Sequence, residues 1–153
     1  MVLLSENTRD LILYIKQANE QDIDNLINMF PGIKPVLCTG KDGYTLIAMD
    51  YDRPIAFASV FRREIPAPLH GKTEDFINVI DVVDPSCRKK GIGSAFINEV
   101  KRIASEAGSM QIRAYCDINN EASHALWAKN NFGISPVKNT DGTILGSFVT
   151  YRL

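Results

Sequence analysis

The sequence has 153 residues, 45% hydrophobic and 23% charged, the composition of an ordinary folded domain rather than a disordered or fibrous chain. With 17 basic against 18 acidic side chains the net charge is −1, so the basic excess of a phosphate-neutralising nucleic-acid binder is missing. No apolar run reaches the length of a membrane span, and the opening MVLLSENTRD does not read as a secretory leader.

Three cysteines, Cys38, Cys87 and Cys116, are far apart, odd in number and unaccompanied by a histidine pair. They fit neither a disulfide framework nor a zinc site. The expectation is a single cytoplasmic domain over residues 1–153, without metal, membrane or nucleic-acid partners.

In chain order, residues 11–17 read as a strand. Asn19–Phe30 follows as a helix, with Ile23, Leu26, Ile27 and Phe30 at helical spacing and Pro31 and Gly32 to end it. Tyr44–Met49 and Ile55–Arg63 are strand-like and joined by a polar turn at Asp50–Pro54, a hairpin signal. Ile65–Thr73, with Pro66, Pro68 and Gly71, reads as a loop long enough to carry function. Phe76–Val83 is rich in Ile and Val and predicts a strand buried on both faces. Gly91–Ala107 has a helical stripe of Ile92, Ala95, Phe96, Val100, Ile103 and Ala107, closed by Gly108. Gln111–Cys116 predicts a strand, and Asn120–Asn131 a helix with Ala122, Ala125, Leu126 and Trp127 inward. Ile134–Val137 and Leu145–Arg152 flank a turn at Asn139–Gly142. The order β-α-β-β-β-α-β-α-β-β predicts an α/β domain on one mixed, mostly antiparallel sheet of about seven strands flanked by helices.

Chemistry concentrates where a strand ends at Val83 and a helix opens at Gly91. Amides in the first turn of a helix lack intrahelical partners and sit at the positive end of the helix dipole, where they attract anions. Gly91 and Gly93 lack Cβ atoms and let an oxygen approach the main chain. Arg88, Lys89 and Lys90 add positive charge, and Ser94 a hydroxyl. Together they read as a pyrophosphate cradle. Neither GxxxxGK[ST] nor GxGxxG is present, since Phe96 stands where the third glycine of the dinucleotide fingerprint belongs. Close helix–strand packing with solvated cations is the alternative reading of the same residues.

Arg88-x-x-Gly91-x-Gly93, following Val83-Asp84-Pro85, resembles motif A of the GNAT N-acetyltransferase superfamily. Asn120-Glu121-Ala122-Ser123-His124-Ala125-Leu126-Trp127 through Asn131-Phe132 is similar to its motif B. The resemblance implies a GNAT-like sheet splayed at its central parallel pair, and transfer of the acetyl group of acetyl-CoA to a primary amine of a small molecule or peptide by direct attack. A non-catalytic acyl-CoA binding or sensing domain is the alternative. It implies that the main chain of Asp81, Val82 and Val83 pairs with the pantetheine arm. The amides of Arg88, Lys89, Lys90, Gly91, Ile92, Gly93 and Ser94 would hold the pyrophosphate, and Asn120 would touch the cofactor. Trp127 stands where relatives commonly have a tyrosine, and indole does not give up its proton near neutral pH. Asn131 replaces a glycine before Phe132, a substitution the left-handed conformation tolerates. The state expected is monomer or homodimer.

Direct attack needs the acceptor amine deprotonated and the carbonyl polarised, which predicts a bulge near Asp81–Val83. Asp81 is the first candidate base and Tyr115 a second candidate or a lining residue, with His70 and His124 behind them. Cys116 has no basic partner adjacent in sequence and is read as apolar filler. Arg62, Arg63 and Glu64 are read as a solvated strand end or as a selector of a substrate carboxylate.

Overall fold

The alternation and helical spacing of apolar residues set elements that the computed structural model describes over residues 2–3 and 13–153. They are β1 (Val2–Leu3), β2 (Leu13–Gln17), α1 (Glu20–Met29), β3 (Gly43–Asp50), β4 (Arg53–Glu64) and β5 (Thr73–Val82). After these come α2 (Ile92–Glu106), β6 (Gln111–Asp117), α3 (Glu121–Lys129), β7 (Gly133–Lys138) and β8 (Ile144–Arg152). Short 3-10 turns occupy Pro31–Val36, Gly40–Asp42 and Pro85–Cys87. Positions 11 and 12 of the first expected strand lie outside the described residues. The two-residue β1 is too short to show a period.

The chain divides into two compact units, one from the segments ending at Phe61 and spanning Asn78–Glu99, the other from Arg62–Ile77 and Val100–Leu153. The sheet is mixed, as the element order predicts. In the first unit β1, β2, β3 and β4 pair antiparallel in sequence, with Ile15 opposite Ala48 and Ala48 opposite Ala56. Asn19 caps α1 through a reciprocal box: its side chain accepts the Asp22 N–H, and the Asp22 carboxylate accepts the Asn19 N–H. The α1 face carrying Leu26 packs with Ile47, Met49 and Phe57, joined by Phe30, Ile33, Val36, Val79 and Val83.

In the second unit β5 and β6 are parallel, Glu74–Ile77 against Gln111–Ala114, and β6, β8 and β7 continue antiparallel. The C-terminal half of α2 ends on Gly108 at φ 77°. There the Gly108 N–H donates to Ser105 and the Ser109 N–H to Ala104. Helix α3 ends the same way. Asn131 takes φ 66° and donates to Ala128, Phe132 donates to Trp127, and the Trp127 and Phe132 rings meet at 4.9 Å. Both are Schellman ends, and Asn131 does what glycine usually does there.

Two expectations about faces are corrected. Ala122 and Ala125 of α3 are exposed, and the inward row is Ser123, Trp127 and Asn130. Alanine gains little from burial, whereas Ser123 accepts the indole N–H and Asn130 donates to the Leu126 carbonyl, so both polar groups enter satisfied. Strand β5 is not buried on both faces along its length: Glu74, Asp75 and Ile77 are buried, Asn78 is exposed and Val79–Val82 are half-buried.

Candidate functional site

In the first unit, the N–H groups of Val83 and Asp84 both donate to the Ile55 carbonyl, at 2.9 and 3.2 Å. Two residues facing one is the pattern of a bulge, one residue downstream of the position expected. Upstream, the Asn78 side-chain amide donates to the Val36 carbonyl at 3.0 Å.

Asp84 then fixes the turn. Its carboxylate accepts the Ser86 N–H at 3.0 Å and hydroxyl at 2.7 Å and pairs with Arg53 at 2.9 Å. The Ser86 hydrogen bonds, with Arg53 adding to them, hold this carboxyl below its ordinary pKa, so it braces the turn as an anion. Cys87 and Ile92 are 3% and 2% exposed and act as buried anchors, while Arg88, Lys89, Lys90 and Gly91 between them are exposed. Lys89 and Gly91 take left-handed φ angles of 60° and 80°. Alternating handedness of this kind turns amides into an anion-binding concavity. The first intrahelical bond of α2 runs from the Ala95 N–H to the Gly91 carbonyl, so Ile92 and Gly93 lie in the turn whose amides have no partner within the helix. The Arg88 amide is already given to Pro85 at 3.3 Å. A Cβ built on Gly91 would meet nothing within 4 Å. The space at Gly91 is open, and exposed cations beside left-handed backbone fit a diphosphate.

Asp81 and Val82 lie half-buried at the end of β5, and Val82 O receives Arg88 Nε at 3.4 Å. Tyr115, Asn120 and Trp127 belong to the second unit. Tyr115 is 43% exposed on β6, edge-on to Phe148 at 5.5 Å, and its ring covers Gly146 so closely that a Cβ there would collide. Asn120 caps α3, its side-chain oxygen accepting the Ser123 N–H at 3.0 Å. Trp127 is 4% exposed, its indole N–H donating to Ser123 Oγ at 2.9 Å.

Cys116 does have a basic neighbour in space: His124 Nδ1 lies 3.2 Å from its sulfur and 3.0 Å from the Asn120 carbonyl. A carbonyl oxygen only accepts, so Nδ1 carries the proton and donates. The imidazole therefore does not take the thiol's proton through that nitrogen, and Cys116, 2% exposed, stays a filler. His70 is exposed on the loop after β4, which closes on itself through Ile65 N–H to Lys72 O at 2.8 Å.

Arg62 and Arg63 are each engaged in an ion pair, although Arg63 and Glu64 remain exposed at the end of β4. Arg62 binds Asp75 through two nitrogens, each at 2.9 Å, and Ser109 adds a third donor at 2.6 Å. Arg63 binds Glu74 at 2.8 Å, where Arg113 and Gln111 also donate at 2.9 and 2.7 Å. Both carboxylates are 0% exposed. Sequence reading missed this network because neither acid belongs to the apolar run that identified the strand.

Two clefts in the first unit open beside α1. One of about 490 Å³ includes Tyr14, Lys16, Asp22 and Met49, and one of about 640 Å³ includes Glu20, Asp24, Cys38 and Tyr44. Among the described residues no cluster of His, Cys, Asp or Glu could hold a metal ion, and no helix is long and apolar enough to cross a membrane.

A model of the acetyltransferase (GNAT) family matches residues 13–132. No curated protein matches the sequence. Among solved structures, Arabidopsis thaliana NAA60 in complex with acetyl-CoA is similar at TM-score 0.70 and 17% identity, over 92% of this chain and 98% of that one. The same protein with a bisubstrate analogue gives 0.68 and 18%, over 92% and 99%. The ribosomal-protein-S18-alanine N-acetyltransferase of Escherichia coli gives 0.67 and 15%, over 92% and 93%. At these identities the likeness speaks for the fold.

Proposed function

Because the chain belongs to the acetyltransferase (GNAT) family, we propose that it transfers the acetyl group of acetyl-CoA to a primary amine by direct attack, working as one domain. The observation that carries this is the cradle: exposed cations and left-handed residues held between the buried anchors Cys87 and Ile92, under open space at Gly91. Two of the similar structures were determined with acetyl-CoA or a bisubstrate analogue, which supports the choice of co-substrate.

Acetyl-CoA, when bound, supplies an acyl group activated as a thioester. The amides of Lys89 to Ser94 and the cations of Arg88, Lys89 and Lys90 hold its diphosphate. The main chain of Asp81 and Val82 pairs with the pantetheine arm as an added strand. The Val83 amide is committed to Ile55, so that residue offers its carbonyl. Asn120 has its oxygen in the helix cap and offers its amide N–H groups, and Trp127, 4% exposed and with its N–H given to Ser123, supports the cofactor from behind. Asp81 accepts the proton of the acceptor ammonium, and Tyr115 is the second candidate for proton handling.

The test is thermal stabilisation and thiol release. Coenzyme A at a hundredfold of its Kd should stabilise the protein by about 2.7 kcal/mol, ATP by less. Gly93→Glu, which brings bulk and negative charge to the cradle, should abolish the coenzyme A effect. A wild-type response in this variant, or a preference for ATP, overturns the reading. With an amine panel, Asp81→Asn should slow thiol release at unchanged coenzyme A affinity. An unchanged rate removes Asp81 as the base. Tight coenzyme A binding without turnover across the panel would favour a sensing role.

A further inference from the structure

Residues two apart on a strand share a face, and the registers Phe76↔Arg113 and Tyr115↔Phe148 place Phe76 of β5, Arg113 and Tyr115 of β6 and Phe148 of β8 side by side in the second unit. Arg113 lies 5.9 Å from the Phe76 ring centroid and 5.0 Å from that of Phe148, and Arg63 lies 4.3 Å from Phe76. Tyr115 is 43% exposed, and the Arg113 and Arg63 side chains 27% and 46%, so the face is reachable.

Arg63 and Arg113 donate to the same oxygen of Glu74, at 2.8 and 2.9 Å. Asp75 is met by Arg62 through two nitrogens. Arg113 Nε is also buried with no acceptor among the described residues. Among the described residues, two guanidiniums thus share one carboxylate oxygen beside aromatic rings. A guanidinium is flat, weakly hydrated and matched to a carboxylate, and an adjoining ring surface suits an apolar body attached to that anion.

We propose that this face recognises a carboxylate on the acceptor, with Arg113 as its principal ligand and the rings of Phe76, Tyr115 and Phe148 covering the neighbouring side chain. The acceptor class is then an amine that also bears a carboxylate, an amino acid with an aromatic or aliphatic side chain. This assignment rests on the acetyl-transfer reading for its biological sense, but its binding test does not need turnover.

Calorimetric titration of the whole protein with N-acetylphenylalanine and with N-acetylphenylalaninamide isolates the negative charge. The acid should bind about tenfold or more tightly. Arg113→Gln should reduce that preference below about twofold, and Arg113→Lys should retain part of it. If Arg113→Gln does not fold, the wild type answers alone, since the preference should shrink sharply at about 1 M salt. Equal affinity for the two compounds, a preference indifferent to both substitution and salt, or binding of neither at millimolar concentration overturns the proposal. Thiol release with phenylalanine and phenylalaninamide separates it from its premise. No release with either compound, nor with any other amine tried, while the acid preference persists in titration, counts against acetyl transfer and not against the face. Equal release with no preference in titration overturns the face and leaves acetyl transfer standing.

Discussion

Glu74 keeps its charge at 0% exposure because other side chains meet it from two directions. Burial alone would raise its pKa, but the hydrogen bonds from Gln111, Arg113 and Arg63 outweigh that and hold it below the ordinary glutamate value. Glu74→Gln leaves Arg63 and Arg113 without their counter-ion, and removing one member of a buried ionic cluster typically costs about 3–5 kcal/mol. Urea unfolding should show that loss as a lower midpoint at unchanged m-value. A loss under about 1 kcal/mol would mean that solvent screens the cluster. The network was illegible in the sequence for a physical reason. Arg113 is 39 residues from Glu74, and an ionic contact at that separation leaves no periodic trace. The turn that opens α2 was legible because its cations, glycines and helix start are contiguous.

Helix ends were read more accurately than helix faces. Gly108 and Asn131 mark their ends through backbone conformation, which a residue type announces locally. Which side of α3 turns inward depends on what the tertiary structure offers Ser123 and Asn130, and spacing alone favoured the alanines. Asn131 at φ 66° pays a small strain that glycine would not. Asn131→Gly is expected to leave stability within about 1 kcal/mol of the wild type and Asn131→Ala to lower it by a similar amount, as thermal melts would show. Equal melts for the two variants would mean that the Trp127–Phe132 contact alone sets the end of α3. The bulge near Val83 follows the same logic: its need could be argued from chemistry, but its register depended on Ile55, a residue of another strand.

For the whole molecule, element order, mixed pairing and family could be read from the sequence, because strand and helix periods and the two glycines survive without tertiary information. Acid behaviour adds a global prediction. Burial pushes the Asp22 carboxyl upward, but Lys16 and the Asn19 amide more than offset it, so Asp22, like Glu74, has a depressed pKa in the folded chain. The unfolded chain therefore takes up protons first as pH falls. The stability these groups contribute is present above about pH 5 and is lost as pH drops below about 4 toward their folded pKa values. A melting temperature unchanged down to about pH 3 would contradict this. The consecutive acids of β5 carry one more implication. Glu74 is met by Arg63, Gln111 and Arg113, and Asp75 by Arg62 and Ser109. Sliding this strand by a single step would exchange their sides and strand two desolvated anions at once, whereas the apolar residues after them could tolerate such slippage far better. Misaligned intermediates are thus penalised by charge, and the doublet works as a proofreading mark for how the strand is threaded.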